Sequence, residues 1–280
     1  MGLTCDSEKG QFQLQAVTGG DIHQSFRLTD TTNGRDYFVK TNRAEHANLF
    51  IAEQESLAEI AATETLLTPQ VLLQGVAGDT AYLVLSFLSL KDRGYEAALG
   101  NLLARMHRYR GCDSYGFYHD NYIGMTPQLN ARCDSWADFW INQRIAPQMT
   151  RARQQGLNTD IDRLLAAISD LLSSHHPQPS LLHGDLWGGN KGFINHGTPV
   201  VFDPACYYGD RETDIAFTRL FGGFSADFYT AYHNEWPLPK GFNSREGVYN
   251  LYHLLNHLNL FGSGYLAACQ REIDTILLSA

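Results

Sequence analysis

Hydrophobic and polar positions along the chain follow two different periods, and the change comes near residue 91. Residues 11–40 alternate as strands do around turn signals: QFQLQAV, then Gly19-Gly20, then SFRLTD, then Asn33-Gly34, then DYFVK. A three-strand meander is predicted. The run AEHANLFIAEQESLAEIAATETLL over 44–67 is rich in helix formers, carries Leu49, Ile51, Leu57 and Ile60 as apolar positions, and is followed closely by Pro69. It reads as one helix. VLLQGVAG and AYLVLSFL predict two further strands before Lys91-Asp92-Arg93-Gly94 breaks the pattern.

Beyond that break helical patterns dominate: YEAALGNLLARMHRY, SWADFWINQRIAPQM, IDRLLAAISDLLSS and, near the end, GVYNLYHLLNHLNLFGSGYLAACQREIDTILL. Short strands are expected only within 181–203. The predicted fold class is therefore α+β: a small antiparallel-sheet lobe with one helix over residues 1–88, and a large, mainly helical lobe over 89–280 holding a small β insert.

With 280 residues, 44% of them hydrophobic, the chain can bury a large core. Its 21 Lys and Arg against 30 Asp and Glu give a net charge of −9, which repels a phosphate backbone, so nucleic acid is not an expected partner. No stretch approaches the roughly 20 apolar residues needed to cross a bilayer, and the start MGLTCDSEKG lacks the apolar core of a signal peptide. No membrane association and a cytoplasmic location are expected. Cys5, Cys112, Cys133, Cys206 and Cys269 are odd in number and scattered, which fits reduced thiols rather than a disulfide framework or zinc knuckle. His253 and His257 share a helical face without the glutamate of a zinc-protease motif, and read as helix or core histidines.

The segment LLHGDLWGGN brings His183, Asp185 and Asn190 together on a loop loosened by Gly184, Gly188 and Gly189. Asp185 and Asn190 have the D-x-x-x-x-N spacing of a kinase catalytic loop, in which Asp accepts the substrate hydroxyl proton and Asn ligates magnesium. The strand-turn-strand FINHGTPVVFD then returns Asp203 towards Asn190, giving a hard cation the oxygen ligands it prefers. Taken singly, each residue fits a turn Asp or Asn capping its own backbone. His183 is expected to brace the loop, because Asp185 already fills the base role. Lys40 ends the strand DYFVK, within reach of nucleotide phosphates, and the helix carrying Glu53 and Glu55 follows; the spacing alone favours a solvated salt bridge, and only the context of Asp185 and Asp203 gives the pair a functional reading. Gly19-Gly20 is either a phosphate-covering turn or an ordinary hairpin.

LLHGDLWGGN followed by VVFDPACYYGDRETDIAF resembles the fructosamine kinase (ketosamine 3-kinase) family, and looser similarity in GGDIHQSFRL, FVKTNRAEHANLFIAEQESL, FYTAYHNEWPL and YNLYHLLNHLNLFG extends it over nearly the whole chain. The resemblance implies the protein-kinase-like two-lobed fold shared with aminoglycoside phosphotransferases. It implies ATP and Mg²⁺ as cofactors, and as acceptor a small-molecule ketosamine or a glycated protein lysine, phosphorylated on the sugar 3-hydroxyl. Position by position it implies Asp185 as base, Asn190 and Asp203 as magnesium ligands, Lys40 as phosphate anchor and Glu53 as its partner, with Glu55 a bystander. Asp214 resembles the aspartate that braces the catalytic loop, or is a plain helix N-cap. Trp187 resembles the aromatic beside the sugar site, or is loop packing, and Trp236 lies in the lobe where such folds build the acceptor site. Trp136 and Trp140, on one helical run, fit either a sugar platform or the core. Phe87 and Leu88 fall where backbone groups of a connector would read adenine.

Two departures matter. The glycine of HGD stands where regulated protein kinases have arginine and no A-P-E segment follows DPA, so a constitutively assembled site is expected. Asp21 stands where some relatives carry a turn cysteine, so redox control is not expected. The alternatives are a choline, aminoglycoside or homoserine kinase on the same scaffold, and a silent nucleotide-binding protein, which would usually have lost one of Lys40, Asp185, Asn190 or Asp203.

Overall fold

The computed structural model of the chain describes residues 5–7, 10–17 and 22–279; the Gly19-Gly20 turn lies outside them. The strands β1 (Cys5–Ser7), β2 (Gly10–Val17), β3 (Gln24–Asp30) and β4 (Arg35–Arg43) are followed by helix α1 (Ala47–Ala62) and strands β5 (Val71–Ala77) and β6 (Thr80–Ser86). They form one six-stranded antiparallel sheet in the order β1-β2-β3-β4-β6-β5. The expected meander is thus present as β2 to β4. Its second turn forms because Asp30 accepts from the Thr32 N–H at 2.9 Å and the Asn33 amide at 2.7 Å, and Gly34 takes φ +71°.

Helix α1 turns Phe50, Leu57 and Ile60 inward, and the first two pack on Ala81, Leu83 and Leu85 of β6 as the small lobe's core. Ile51, one of the apolar positions in the helical pattern, is 39% exposed. The helix also stops short of the expected Leu67. Thr63 turns its hydroxyl back onto the Ile60 carbonyl and Glu64 adopts φ +55°, which releases Leu66 into the large lobe's core.

The large lobe contains α2 (Glu96–Arg108), a hairpin of β7 (Asn121–Ile123) and β8 (Thr126–Gln128), α3 (Trp136–Phe139), α4 (Ala146–Ala152) and α5 (Ile161–Leu172). Then come β9 (Ser180–Leu182), β10 (Lys191–Ile194), β11 (Thr198–Val201), β12 (Tyr207–Gly209), α6 (Glu212–Leu220), α7 (Ala226–Glu235), α8 (Phe242–Phe261) and α9 (Leu266–Ser279). The run SWADFWINQRIAPQM, expected as one helix, passes through a π-turn at Trp140–Ile145 between α3 and α4. Pro147 has no N–H for the Gln143 carbonyl, and that carbonyl takes the Arg144 guanidinium instead, at 3.1 Å. Trp136 and Trp140 are 2% and 0% exposed with ring centroids 5.4 Å apart, so they are core residues and not a sugar platform.

Candidate active site

The strand β9 is three buried residues paired with β12, and it ends by presenting the 183–190 loop at the edge of the core. His183 is fully buried. Its carbonyl accepts the Ala205 N–H at 2.8 Å, its Nδ1 accepts the Asp185 N–H at 3.3 Å, and its Nε2 donates to the Phe202 carbonyl at 3.1 Å. Burial lowers its pKa, so the ring is neutral, with both nitrogens engaged by backbone groups of the two segments it joins. Gly184 takes φ +79°, and a Cβ there would lie 2.0 Å from the Ala205 carbonyl oxygen, which explains why arginine cannot follow this histidine.

Asp214 sits on α6, 2% exposed, and accepts the N–H of His183 at 2.8 Å and of Gly184 at 3.0 Å. The Asp214 carboxylate thus bonds the 183–184 backbone rather than the first turn of its own helix, where Asp210 accepts the Glu212 N–H at 3.0 Å.

Asn190 closes the loop. Its Nδ2 donates to the Asp185 carbonyl at 2.8 Å and to Asp185 Oδ2 at 2.9 Å, leaving Oδ1 without a partner among the described residues. Burial first, and then repulsion from Asp203, push the Asp185 carboxyl up to about 7. The β10–β11 hairpin pairs Lys191 with Val201 and delivers Asp203 with a left-handed φ of +57°, a strained conformation held by the hairpin's register. From the small lobe, Lys40 Nζ bonds Asp203 Oδ1 and Glu53 Oε1, each at 2.6 Å. Burial alone would lower the lysine pKa, but Asp203 and Glu53 outweigh it and hold the ammonium charged. Glu55 turns away and pairs with exposed His119 at 2.7 Å.

The helix α1 is fastened to the chain beyond Asp203 by bonds that the sequence did not announce. Ser56 Oγ accepts the Cys206 N–H at 3.3 Å, and Glu59 accepts the Tyr208 hydroxyl at 2.6 Å. Together with the Lys40–Glu53 pair, these bonds tie α1 to both β4 and the segment after Asp203. Cys112, Cys133, Cys206 and Cys269 are free thiols.

Trp187 is 39% exposed, and its indole lies over Gly189, where a Cβ would come within 2.3 Å of the ring. Trp236 lies elsewhere: its ring is 3.9 Å from the Arg211 guanidinium and 5.4 Å from that of Arg108, and its carbonyl accepts from Arg211 at 2.9 Å. Phe87 and Leu88 follow β6, with the Phe87 ring 4.9 Å from the Arg27 guanidinium.

The sequence profile described as fructosamine kinase matches residues 5–279. The chain belongs to the fructosamine kinase family. A Vibrio cholerae protein named as a ketoamine kinase is 44% identical over 271 residues, which cover 95% of this chain and 92% of that protein. A solved Haemophilus somnus 129PT protein assigned as a fructosamine-3-kinase superposes with a TM-score of 0.90 at 32% identity, covering 94% of this chain and 90% of that one. Plasmodium vivax ethanolamine kinase, with a TM-score of 0.62 at 10% identity over 95% of this chain and 80% of that one, shares the fold alone. As a member of the fructosamine kinase family on a protein-kinase-like scaffold, the chain is a phosphotransferase with a hydroxyl-bearing acceptor. Among the described residues no helix is long and apolar enough to cross a membrane.

Proposed function

We propose that this kinase transfers the γ-phosphoryl group of ATP to the 3-hydroxyl of a ketosamine of the fructosamine or ribulosamine type, free or carried on a protein lysine. The single observation that carries the reading is the continuous linkage of Glu53, Lys40 and Asp203 beside Asn190 and Asp185. Three residues with oxygen donors and one buried ammonium match what phosphoryl transfer asks of a protein, which is positioning and charge neutralisation. The donor set fits magnesium: Asn190 Oδ1 is unengaged among the described residues, and the Asp203 side chain remains 41% exposed. Asn190 and Asp203 would hold the ion, which when bound neutralises phosphate charge.

Lys40 anchors the nucleotide phosphates, and Glu53 fixes the direction of its ammonium. The N–H and C=O groups of Phe87 and Leu88 make no hydrogen bond to other described residues, which leaves them for adenine. Asp185 takes the proton of the acceptor hydroxyl on its carboxylate as that oxygen attacks phosphorus. Residues 1–88 then act as the nucleotide lobe and 89–280 as the catalytic and acceptor lobe, with Trp187 beside the sugar. A ketose 3-phosphate bearing an amine on carbon 1 is prone to eliminate phosphate and release that amine, so the role is deglycation in the cytoplasm.

The test is incubation with ATP, Mg²⁺ and a ribulosamine, with the phosphate located by NMR. Phosphate on the 3-oxygen is expected. Transfer to choline or an aminoglycoside but to no ketosamine would overturn the assignment.

A further inference from the structure

Helices α2 and α7 touch through their backbones: a Cβ on Gly100 would lie 2.2 Å from the Phe228 carbonyl oxygen. From this pair two fully buried side chains reach the base of the catalytic loop, His107 in the last turn of α2 and Tyr232 on α7. Arg211 Nη1 lies 3.1 Å from the Tyr232 hydroxyl, which lies 2.8 Å from His107 Nδ1; His107 Nε2 is 3.1 Å from Asp214 Oδ2.

The donors in this chain have one consistent direction. A guanidinium only donates, so the Tyr232 oxygen accepts from Arg211 and its own proton goes to His107 Nδ1. The imidazole proton is then on Nε2, where it is donated to Asp214. Burial keeps His107 neutral, by lowering its pKa against the pull of Asp214. Burial would also raise the Asp214 carboxyl, but the His107 hydrogen bond leads the opposing interactions that leave it below the ordinary value. Both Asp214 oxygens therefore remain acceptors for the His183 and Gly184 N–H groups, and the next residue is Asp185.

We propose that His107 is a positioning residue for phosphoryl transfer, holding the Asp214 carboxylate ionised and oriented so that Asp214 keeps the 183–185 backbone in place. The proposal rests on the reading of Asp185 as the base. Without the Nε2 donor, Asp214 keeps two donors in a buried site and its pKa rises. Protonation then turns one oxygen into a donor facing a backbone N–H, and the grip on the loop loosens.

Three variants test this, His107→Phe, His107→Gln and Tyr232→Phe, each with its Tm measured. His107→Phe should lower kcat on the order of a hundredfold, as misplacement of a catalytic group does, while KM for ATP and acceptor stays within about threefold. His107→Gln can donate to the same carboxylate and should recover at least about tenfold of that loss, with Tyr232→Phe intermediate. Two readouts need no turnover. ¹⁵N NMR should show His107 protonated on Nε2 alone, and amide exchange at His183 and Gly184 should accelerate about tenfold or more in His107→Phe. A kcat within about twofold of wild type in His107→Phe, equal losses in the Phe and Gln variants, an Nδ1–H tautomer, or unchanged amide exchange overturns the proposal. Failure of the base assignment shows separately, as turnover retained by Asp185→Asn.

Discussion

Asn190 Nδ2 donates to both the carbonyl and the carboxylate of Asp185, at 2.8 and 2.9 Å, so the residues proposed as base and metal ligand are one hydrogen-bonded unit. The unit closes a loop of only six residues, and its two ends are held from outside: Asp214 accepts the His183 and Gly184 N–H groups, and the Phe202 N–H donates to the Asn190 carbonyl at 3.1 Å.

The Asp185 carboxyl, pushed up to about 7 from an ordinary value of 3.8, must be ionised to accept a proton. The activity should therefore rise with pH through about 7 and level off above it. Asp185→Asn should lose at least about a thousandfold in kcat with ATP binding retained. The stability effect has the opposite sign: a carboxyl raised in the folded state costs nothing below its unfolded value, and its cost grows until the folded value is passed. Thermal scans between pH 5 and 8 should show Asp185→Asn gaining on wild type as pH rises. A pH-independent Tm difference would contradict the shift.

Lys40 is the buried cation joining Glu53 and Asp203, with side-chain exposures of 6% and 10% for the Lys40–Glu53 pair. Lys40→Met leaves two carboxylates facing each other without it, and should cost about 3 kcal/mol or more of stability and nearly all ATP-dependent turnover. Glu53→Gln should depress activity strongly. Glu55, paired with His119 at exposures of 38% and 50%, should change stability by less than about 1 kcal/mol when replaced by alanine. Kinetics in which Glu55→Ala is as damaging as Glu53→Ala would mean that the wrong face of α1 carries the pair.

Trp187 and Trp236 should separate cleanly. Trp187 is exposed on the loop between Asp185 and Asn190, so Trp187→Ala should raise KM for the acceptor and leave KM for ATP and Tm nearly unchanged. Trp236 packs on Arg211, so Trp236→Ala should lower stability by at least about 1 kcal/mol, with little change in acceptor KM. The opposite pattern, with acceptor KM following Trp236, would move the acceptor site towards the end of α7.

The sequence by itself determined the parts whose partners are close along the chain. The β2–β4 meander is written in alternation and in the Asn33-Gly34 turn signal, and the 183–190 loop in its glycines and in the hairpin that returns Asp203 towards Asn190. Such features are set by backbone geometry over a few residues, so residue order is enough to show them. Lys40 and Glu53 were legible only through a resemblance, because nothing in a 13-residue separation says that strand and helix will face one another.

The tertiary structure decided what depends on distant partners. The hairpin of β7 and β8 has three residues in each strand and is fixed by buried side-chain bonds, including Gln128 to Asn121 at 2.9 Å, rather than by alternation. Helix α6 is buried on every side over Glu212–Thr218 and so has no polar face to give a period. Its Asp214 could be read equally as a cap or a brace until the fold set the His183 and Gly184 N–H groups, and His107 from 107 residues away, against the carboxylate. Burial changes the energetics of that contact. A polar group without a partner in the core costs far more than one in water, so the loop's stability depends on donors that no local pattern reveals.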